Sequence, residues 1–256
     1  MGPHHLEALF SPQNIAVFGA SEKEHGVGTR VFQNLVQANF RGNLFPLNPK
    51  HKKIQGHRCY ADLSEINTAI DLAIIATPAK TVVDIIRSCG EHGVPTAIVL
   101  SAGFREVGGQ GQQMEQTLVN TARHYGIRLL GPNCLGLMRP GIGLDATFLD
   151  TFATDGGLAL VSQSGALCTA ILEWSRPHTL GFSSVVSLGN AADIDFGDVL
   201  DYLATDPKTD AILLYVEGIH DARAFMSGLR SAARVKPVIV LKVGRHQVGS
   251  RAAATH

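Results

Sequence analysis

Short apolar runs that end in glycine, proline or serine loops recur along this chain, each followed by a helix-like stretch. Residues 14–18 run into Gly19-Ala20-Ser21, 43–47 into Asn48-Pro49-Lys50, 71–76 into Thr77-Pro78, 96–100 into Ser101-Ala102-Gly103, and 128–130 into Gly131-Pro132-Asn133. The runs are continuous in Val, Ile and Leu rather than alternating. Strands buried on both faces of a parallel sheet need that pattern. Helical periodicity fills the gaps at 29–38, 81–91 and 112–125, with Val82, Val83, Ile85 and Ile86 on one apolar side. Strand and helix in alternation predict a doubly wound α/β domain. Hydrophobic residues at 45% against 17% charged supply a core for it and exclude disorder.

Between residues 140 and 157 the periodicity fades, and the stretch reads as an inter-domain connection. A second α/β series follows. Residues 158–161 lead into Ser162-Gln163-Ser164-Gly165, 182–188 into Gly189-Asn190, 211–216 into Glu217-Gly218, and 238–243 into Gly244-Arg245. The 256 residues are therefore expected to form two domains, over 1–145 and 150–256, the second incomplete at its C-terminal side.

Formal net charge is zero and no basic stripe occurs, which speaks against a nucleic-acid partner. Cys59, Cys89, Cys134 and Cys168 lie far apart without a C-x-x-C pair. That usage fits a reducing, cytoplasmic setting, and no His/Cys spacing suits a metal. No apolar run approaches the ~18 residues of a membrane span, so no membrane partner is expected.

Ligands of open parallel sheets sit beyond the carboxyl ends of the strands. In the loop 19–30, Gly19 permits a sharp turn, and Gly26 and Gly28 let N–H groups approach an anion. Arg30 could add charge there. The same glycines also suit a plain strand–helix turn. The spacing is not G-x-G-x-x-G, and strand two ends in Asn48-Pro49-Lys50 rather than an acid, which argues against NAD. The cluster Lys50-His51-Lys52-Lys53 reads equally as a solvated loop. Ser162-Gln163-Ser164-Gly165 offers hydroxyls and free N–H groups at a helix start. Simple capping by Ser164 is the plainer alternative. The serine-hydrolase elbow G-x-S-x-G is excluded, because Ser162 occupies its first glycine. Glu217, at a strand end, could orient an imidazole or form an ordinary salt bridge.

Taken in order, these segments resemble the CoA-binding and ligase half of NDP-forming acyl-CoA synthetases, the superfamily of the succinyl-CoA synthetase alpha subunit. The resemblance rests on 15–21, Asn48-Pro49-Lys50, 101–104, 131–136, 162–165, 187–190 and 215–218. It implies a Rossmann-like CoA-binding domain followed by a flavodoxin-like domain. CoA would be held by Gly19, Ala20, Ser21, Gly28, Thr29, Lys50, Thr77, Ser101 and Ala102. His256 would carry a phosphoryl group, Ser162, Gln163, Ser164 and Gly165 would bind it, and Glu217 would hold the imidazole. An acyl phosphate would then yield acyl-CoA. ATP and Mg would enter only through an ATP-grasp domain or subunit, which this sequence lacks. The run 249–256 ending in His256 reads as a loop cut in the middle, so the fragment alone is expected to be inactive. Thr169 stands where the succinate enzyme has Tyr, so succinate is not supported.

The segments 6–10 and 201–203 also look like a bacterial subgroup fused to a C-terminal GNAT protein lysine acetyltransferase. In that setting the chain would be a regulatory module sensing CoA or acyl-CoA. The reading allows a homo-oligomer and leaves acid and nucleotide specificity open.

Overall fold

A computed structural model describes residues 5–243 of the protein. The first half contains α1 (Glu7–Phe10), β1 (Asn14–Phe18), α2 (Val27–Gln37), β2 (Asn43–Leu47), a small hairpin of β3 (Lys53–Ile54) and β4 (His57–Arg58), β5 (Leu72–Ile75), α3 (Ala79–Glu91), β6 (Thr96–Val99), α4 (Gly109–Tyr125) and β7 (Arg128–Leu130). Its five-stranded sheet runs β2-β1-β5-β6-β7 with every pair parallel. β5 and β6 are buried at every position, as their unbroken apolar runs require. The predicted apolar side of α3 faces inward, with Val82 and Ile86 fully buried.

The second half contains β8 (Gly136–Arg139), β9 (Leu144–Thr147), β10 (Asp155–Ser162), α5 (Gly165–Ser175), β11 (Phe182–Ser187), α6 (Phe196–Thr205), β12 (Ala211–Val216), α7 (Ala222–Ala233) and β13 (Val238–Lys242). The six-stranded sheet runs β13-β12-β10-β11-β8-β9. β10 to β13 are parallel, and β8 and β9 add an antiparallel edge. The protein is thus a two-domain α/β fold, a Rossmann-like unit followed by a flavodoxin-like unit with a largely parallel sheet.

The structure corrects the reading of 140–157 as an irregular connection. β9 and the start of β10 lie there, and both are strands of the second sheet. β9 is only four residues long and includes Asp145 and Thr147, so it carries no apolar signature. The start of β10 contains Gly156 and Gly157, which local propensity disfavours in strands. Tertiary packing needs both. A Cβ on Gly156 would lie 2.5 Å from Gly181, and one on Gly157 would strike the Asp210 carboxylate.

The largest apolar cluster runs through both sheets. It joins Ile15, Val17 and Leu72 of the first to Ala159, Val161 and Val186 of the second. The carboxyl ends of the parallel strands in both sheets meet at one cleft.

Candidate functional site

The switch point of the first sheet lies between β1 and β5, where the strand order reverses. Gly19 follows β1 with φ +84°, and a Cβ there would lie 2.6 Å from the Ala76 carbonyl oxygen. Gly28, in the first turn of α2, presses on the Gly19 carbonyl so closely that no side chain fits. The two glycines bring the start of α2 onto the end of β1. Ser21 Oγ and Thr29 Oγ1 share a hydrogen bond of 2.8 Å, and Thr29 Oγ1 also donates to the Lys23 carbonyl at 2.9 Å. Asn48 Nδ2 donates to the Ala20 carbonyl at 2.8 Å, and the Lys50 N–H donates to Asn48 Oδ1 at 3.0 Å. Lys50 is exposed at this rim, and Ala20 is fully buried. Arg30 is spoken for: its guanidinium pairs with Asp150 at 2.8 Å. Ser101 Oγ donates to the Thr77 carbonyl at 2.5 Å, tying the ends of β5 and β6 together.

Opposite stands the loop before α5. Ser164 is the helix N-cap, its hydroxyl accepting from the Leu167 N–H at 3.4 Å. Ser162 Oγ accepts from the Ser164 N–H at 3.0 Å and donates to the Ser164 carbonyl at 2.9 Å. The capping expectation therefore holds. It leaves the Gly165 and Ala166 N–H groups, which a helix cannot pair internally, and the positive helix end facing the cleft. Gln163 braces this loop to the end of β12. Its Oε1 accepts from the Glu217 and Gly218 N–H groups at 2.7 and 3.0 Å, and its Nε2 donates to the Gly218 carbonyl at 2.9 Å. Lys242 Nζ donates to the Glu217 carbonyl at 3.0 Å.

A cleft of about 980 Å³ separates these two sides. Thr77, Ser101 and Ala102 line it from the first domain, and Gln163, Ser164, Gly165 and Glu217 from the second. Gly19, Ala20, Ser21, Gly28, Thr29 and Lys50 are not part of that lining. Gly19 packs against the cleft residue Ala76 and Gly28 follows the cleft residue Val27, while Ala20 and Gly28 are buried and Lys50 is exposed. His256 lies outside the described residues.

A polar knot between the domains escaped the sequence reading. Asn190 Nδ2 donates to Glu106 Oε2 at 2.8 Å and to Glu115 Oε2 at 2.7 Å. Arg105 donates to the Asn190 carbonyl, lies 3.1 Å from His220 Nε2 and pairs with Glu115 at 3.6 Å. His220 in turn faces Asp195 at 3.5 Å. Burial opposes ionisation of Glu106. Hydrogen bonds from Asn190 and from the Gly103 and Phe104 N–H groups outweigh it and hold the carboxyl below its ordinary range. Burial likewise raises the Tyr215 hydroxyl, with the Glu217 charge adding to it. Only Asn190 had a signal in the sequence, as the end of the loop after β11. Among the described residues, no group of three His, Cys, Asp or Glu side chains could hold a metal ion, and no helix is long and apolar enough to cross a membrane.

Fold and cleft together define a two-domain ligand-binding unit. Strand-end loops of one sheet face the N-terminal end of α5, on the other, across the cleft. Residues 13–140 match the CoA binding domain family, and 155–256 match the succinyl-CoA ligase like flavodoxin domain family. An acetate–CoA ligase [ADP-forming] I of Archaeoglobus fulgidus is 47% identical over 98% of this chain, which covers 36% of that protein. The alpha subunit of acetate–CoA ligase [ADP-forming] I from Pyrococcus furiosus is 43% identical, with 98% of this chain and 55% of that one covered. Among solved structures, acetyl-coenzyme A synthetase 1 of Ca. Korarchaeum cryptofilum, in complex with phosphate and ADP, superposes with a TM-score of 0.93. It is 40% identical, covering 98% of this chain and 54% of that one. The chain belongs to the NDP-forming acyl-CoA synthetase family, as its succinyl-CoA-ligase-like, alpha-subunit-like part. It spans between a third and just over half of the length of these relatives.

Proposed function

We propose that this chain is the CoA-binding and acyl-phosphate half of an ADP-forming acid–CoA ligase. One observation carries the reading: a single cleft is lined by both the strand-end loops 77 and 101–102 and the helix end at 163–165. A thiol held on the first side can reach an acyl phosphate held on the second. CoA would lie along the rim at Gly19–Ser21, Gly28, Thr29 and Lys50, with its reactive end toward Thr77, Ser101 and Ala102.

His256 would carry the phosphoryl group, with Ser162, Gln163, Ser164 and Gly165 receiving it and Glu217 supporting the imidazole. A carboxylate oxygen attacks phosphorus, the P–N bond breaks, and the imidazole leaves. The CoA thiol gives up its proton to solvent, its sulfur attacks the carbonyl carbon, the C–O bond breaks, and phosphate leaves with the electron pair. A histidine serves as shuttle because its near-neutral imidazole is both nucleophile and leaving group. Fixed N–H groups at the helix end meet the phosphate charge without reorganisation. The nucleotide would bind on an ATP-grasp partner, with Mg, as a domain or subunit.

Calorimetry tests the first part. The chain should bind CoA and not NAD, and Lys50→Ala should weaken CoA by about 1.5–3 kcal/mol, one charge-assisted contact. Labelling tests the second. With the ATP-grasp partner and γ-labelled ATP, an acid-labile, base-stable phosphoenzyme should form. His256→Asn should abolish it and leave CoA binding intact. Equal affinity for NAD and CoA would overturn the reading. CoA binding without any label would favour a CoA-sensing module, such as one joined to a GNAT acetyltransferase.

A further inference from the structure

We propose that a second pocket, on the seam between α2 and the β8–β9 edge, binds a small organic ammonium ion: a protonated primary amine on a short apolar body. The pocket has a volume of about 280 Å³ and shares no lining residue with the cleft. It stands independently of the function proposed above.

The Asp145 carboxyl is the centre of this pocket. Leu144 and Ala146 point into the apolar cluster shared by the two sheets. Side chains alternate along a strand, so Asp145 and Thr147 point to the other face. There Asp145 stands beside Met138, its register partner on β8. Asp145 Oδ1 accepts both bonds that Thr147 offers, from its hydroxyl at 2.7 Å and its N–H at 3.2 Å. Oδ2 takes no hydrogen bond among the described residues, and Asp145, although 4% exposed, lines the pocket. A buried carboxylate with an unused oxygen is costly unless something donates to it.

The surroundings favour positive charge. α2 ends on the pocket, with Gln37 and Ala38 in its lining. A Cβ on Gly143 would lie 2.5 Å from the Ala38 carbonyl oxygen and 2.7 Å from that of Asn39, and carbonyls at a helix C-terminus carry its negative end. Asp155 brings a further carboxylate to the same region, 3.1 Å from a Cβ on Gly141. No Lys, Arg or His lines the pocket among the described residues. Arg30, the one cation of α2, pairs with Asp150, and Arg139, the one cation of β8, pairs with Asp206.

The walls select the kind of cation. Met138, Leu144, Phe152 and Ala153 are apolar, and Phe152 is exposed, so an apolar body laid against it removes surface from water. A hard inorganic cation needs about six oxygen ligands, more than one carboxylate and the end of a helix set out. An alkylammonium needs one or two acceptors for its head and an apolar wall for its tail. Burial raises the Asp145 carboxyl to about 7, so a proton and an ammonium ion compete for it near neutral pH.

Calorimetry with butylammonium chloride tests the site on this chain. Butan-1-ol supplies the same body without the charge, and potassium chloride supplies the charge without the body. Butylammonium should bind saturably at pH 8, and both controls much more weakly. At pH 6 its affinity should fall by about tenfold, because the proton on Asp145 must leave first. Asp145→Asn keeps the oxygen that accepts from Thr147. It should weaken butylammonium by about tenfold or more at pH 8, the loss of one charge-assisted hydrogen bond, and remove the pH dependence. Phe152→Ala, on the wall, should weaken butylammonium more than methylammonium. No saturable binding by the wild type at pH 8 overturns the site. Butylammonium binding to Asp145→Asn as tightly as to the wild type also overturns it, by placing the amine elsewhere. Potassium or butanol binding as tightly as butylammonium overturns the ligand class.

Discussion

At the residue scale, Asp145 is the least expected group in the fold. It lies on the edge strand β9, 4% exposed, with no basic side chain paired to it among the described residues. Burial pushes its carboxyl up to about 7, against hydrogen bonds to Oδ1 from Thr147 Oγ1 at 2.7 Å and from the Thr147 N–H at 3.2 Å. The folded pKa is raised above the unfolded one, so the folded state holds the proton more tightly. The associated stability is complete below the ordinary carboxylate range and is lost as pH rises toward about 7. Asp145→Asn keeps the oxygen that accepts from Thr147 and removes the charge. It should stabilise the protein by about 2–4 kcal/mol at pH 8 and change little at pH 4. Urea melts at the two pH values check this, and equal differences at both would refute it. Nothing in the sequence marked Asp145, because its character comes from what covers it.

At the element scale, legibility followed locality. β1, β2, β7 and β12 were found at their observed limits, because each is a continuous apolar run closed by a loop signal. β8 and β9 were not, because their strand character comes from antiparallel pairing with each other and with β11. The loops 19–21, 101–102 and 162–165 were legible as strand ends, since glycine and serine stand out where apolar strands close. The knot of Arg105, Glu106, Glu115, Asn190 and His220 was not. Arg105, Glu106 and Glu115 lie within ten positions of one another, but their partners Asn190 and His220 come 75 to 115 positions later in the pairs Glu115–Asn190 and Arg105–His220. The loop proposed to hold phosphate, 162–165, offers a test at this scale. Its position depends on Gln163, whose single amide makes three hydrogen bonds to 217–218. Gln163→Ala should keep the fold, since the residue is only half-buried, and cost about 1–2 kcal/mol. In the complete enzyme it should lower the phosphoenzyme yield while leaving CoA affinity within twofold, roughly 0.4 kcal/mol. A matching loss of CoA affinity would mean that Gln163 supports the whole cleft rather than the phosphate side.

At the scale of the whole molecule, the question is whether two sheets make two folding units or one. The shared apolar cluster argues for one, since neither sheet covers it alone. Polar bridges reinforce it. Arg128, from β7, pairs with Asp193 at 2.9 Å and Asp198 at 3.0 Å, and Asn34 Nδ2 of α2 donates to the Thr147 and Leu149 carbonyls. The most deeply placed bridge is Arg139. Its Nη2 pairs with Asp206 at 2.7 Å, and its Nη1 donates to Tyr202 Oη at 2.5 Å and to the Phe10 carbonyl at 3.3 Å. Side-chain exposure of the pair is 8% and 2%, so the two charges have left water. A desolvated pair of this kind is expensive to break and need not stabilise the fold against an apolar replacement. Asp206→Ala should therefore destabilise the protein by about 3–5 kcal/mol, because Arg139 is left buried and uncompensated. The double variant Arg139→Met/Asp206→Leu should recover most of that loss. The readout is the number of transitions as well as their midpoint. If the domains form one unit, heat or urea should unfold wild type, single variant and double variant each in one step by near- and far-ultraviolet circular dichroism. Two separated transitions in the wild type would show that the shared cluster does not couple the sheets. A double variant as unstable as Asp206→Ala would show that the ion pair itself, and not the penalty of orphaning one charge, holds α1 and α6 against β8.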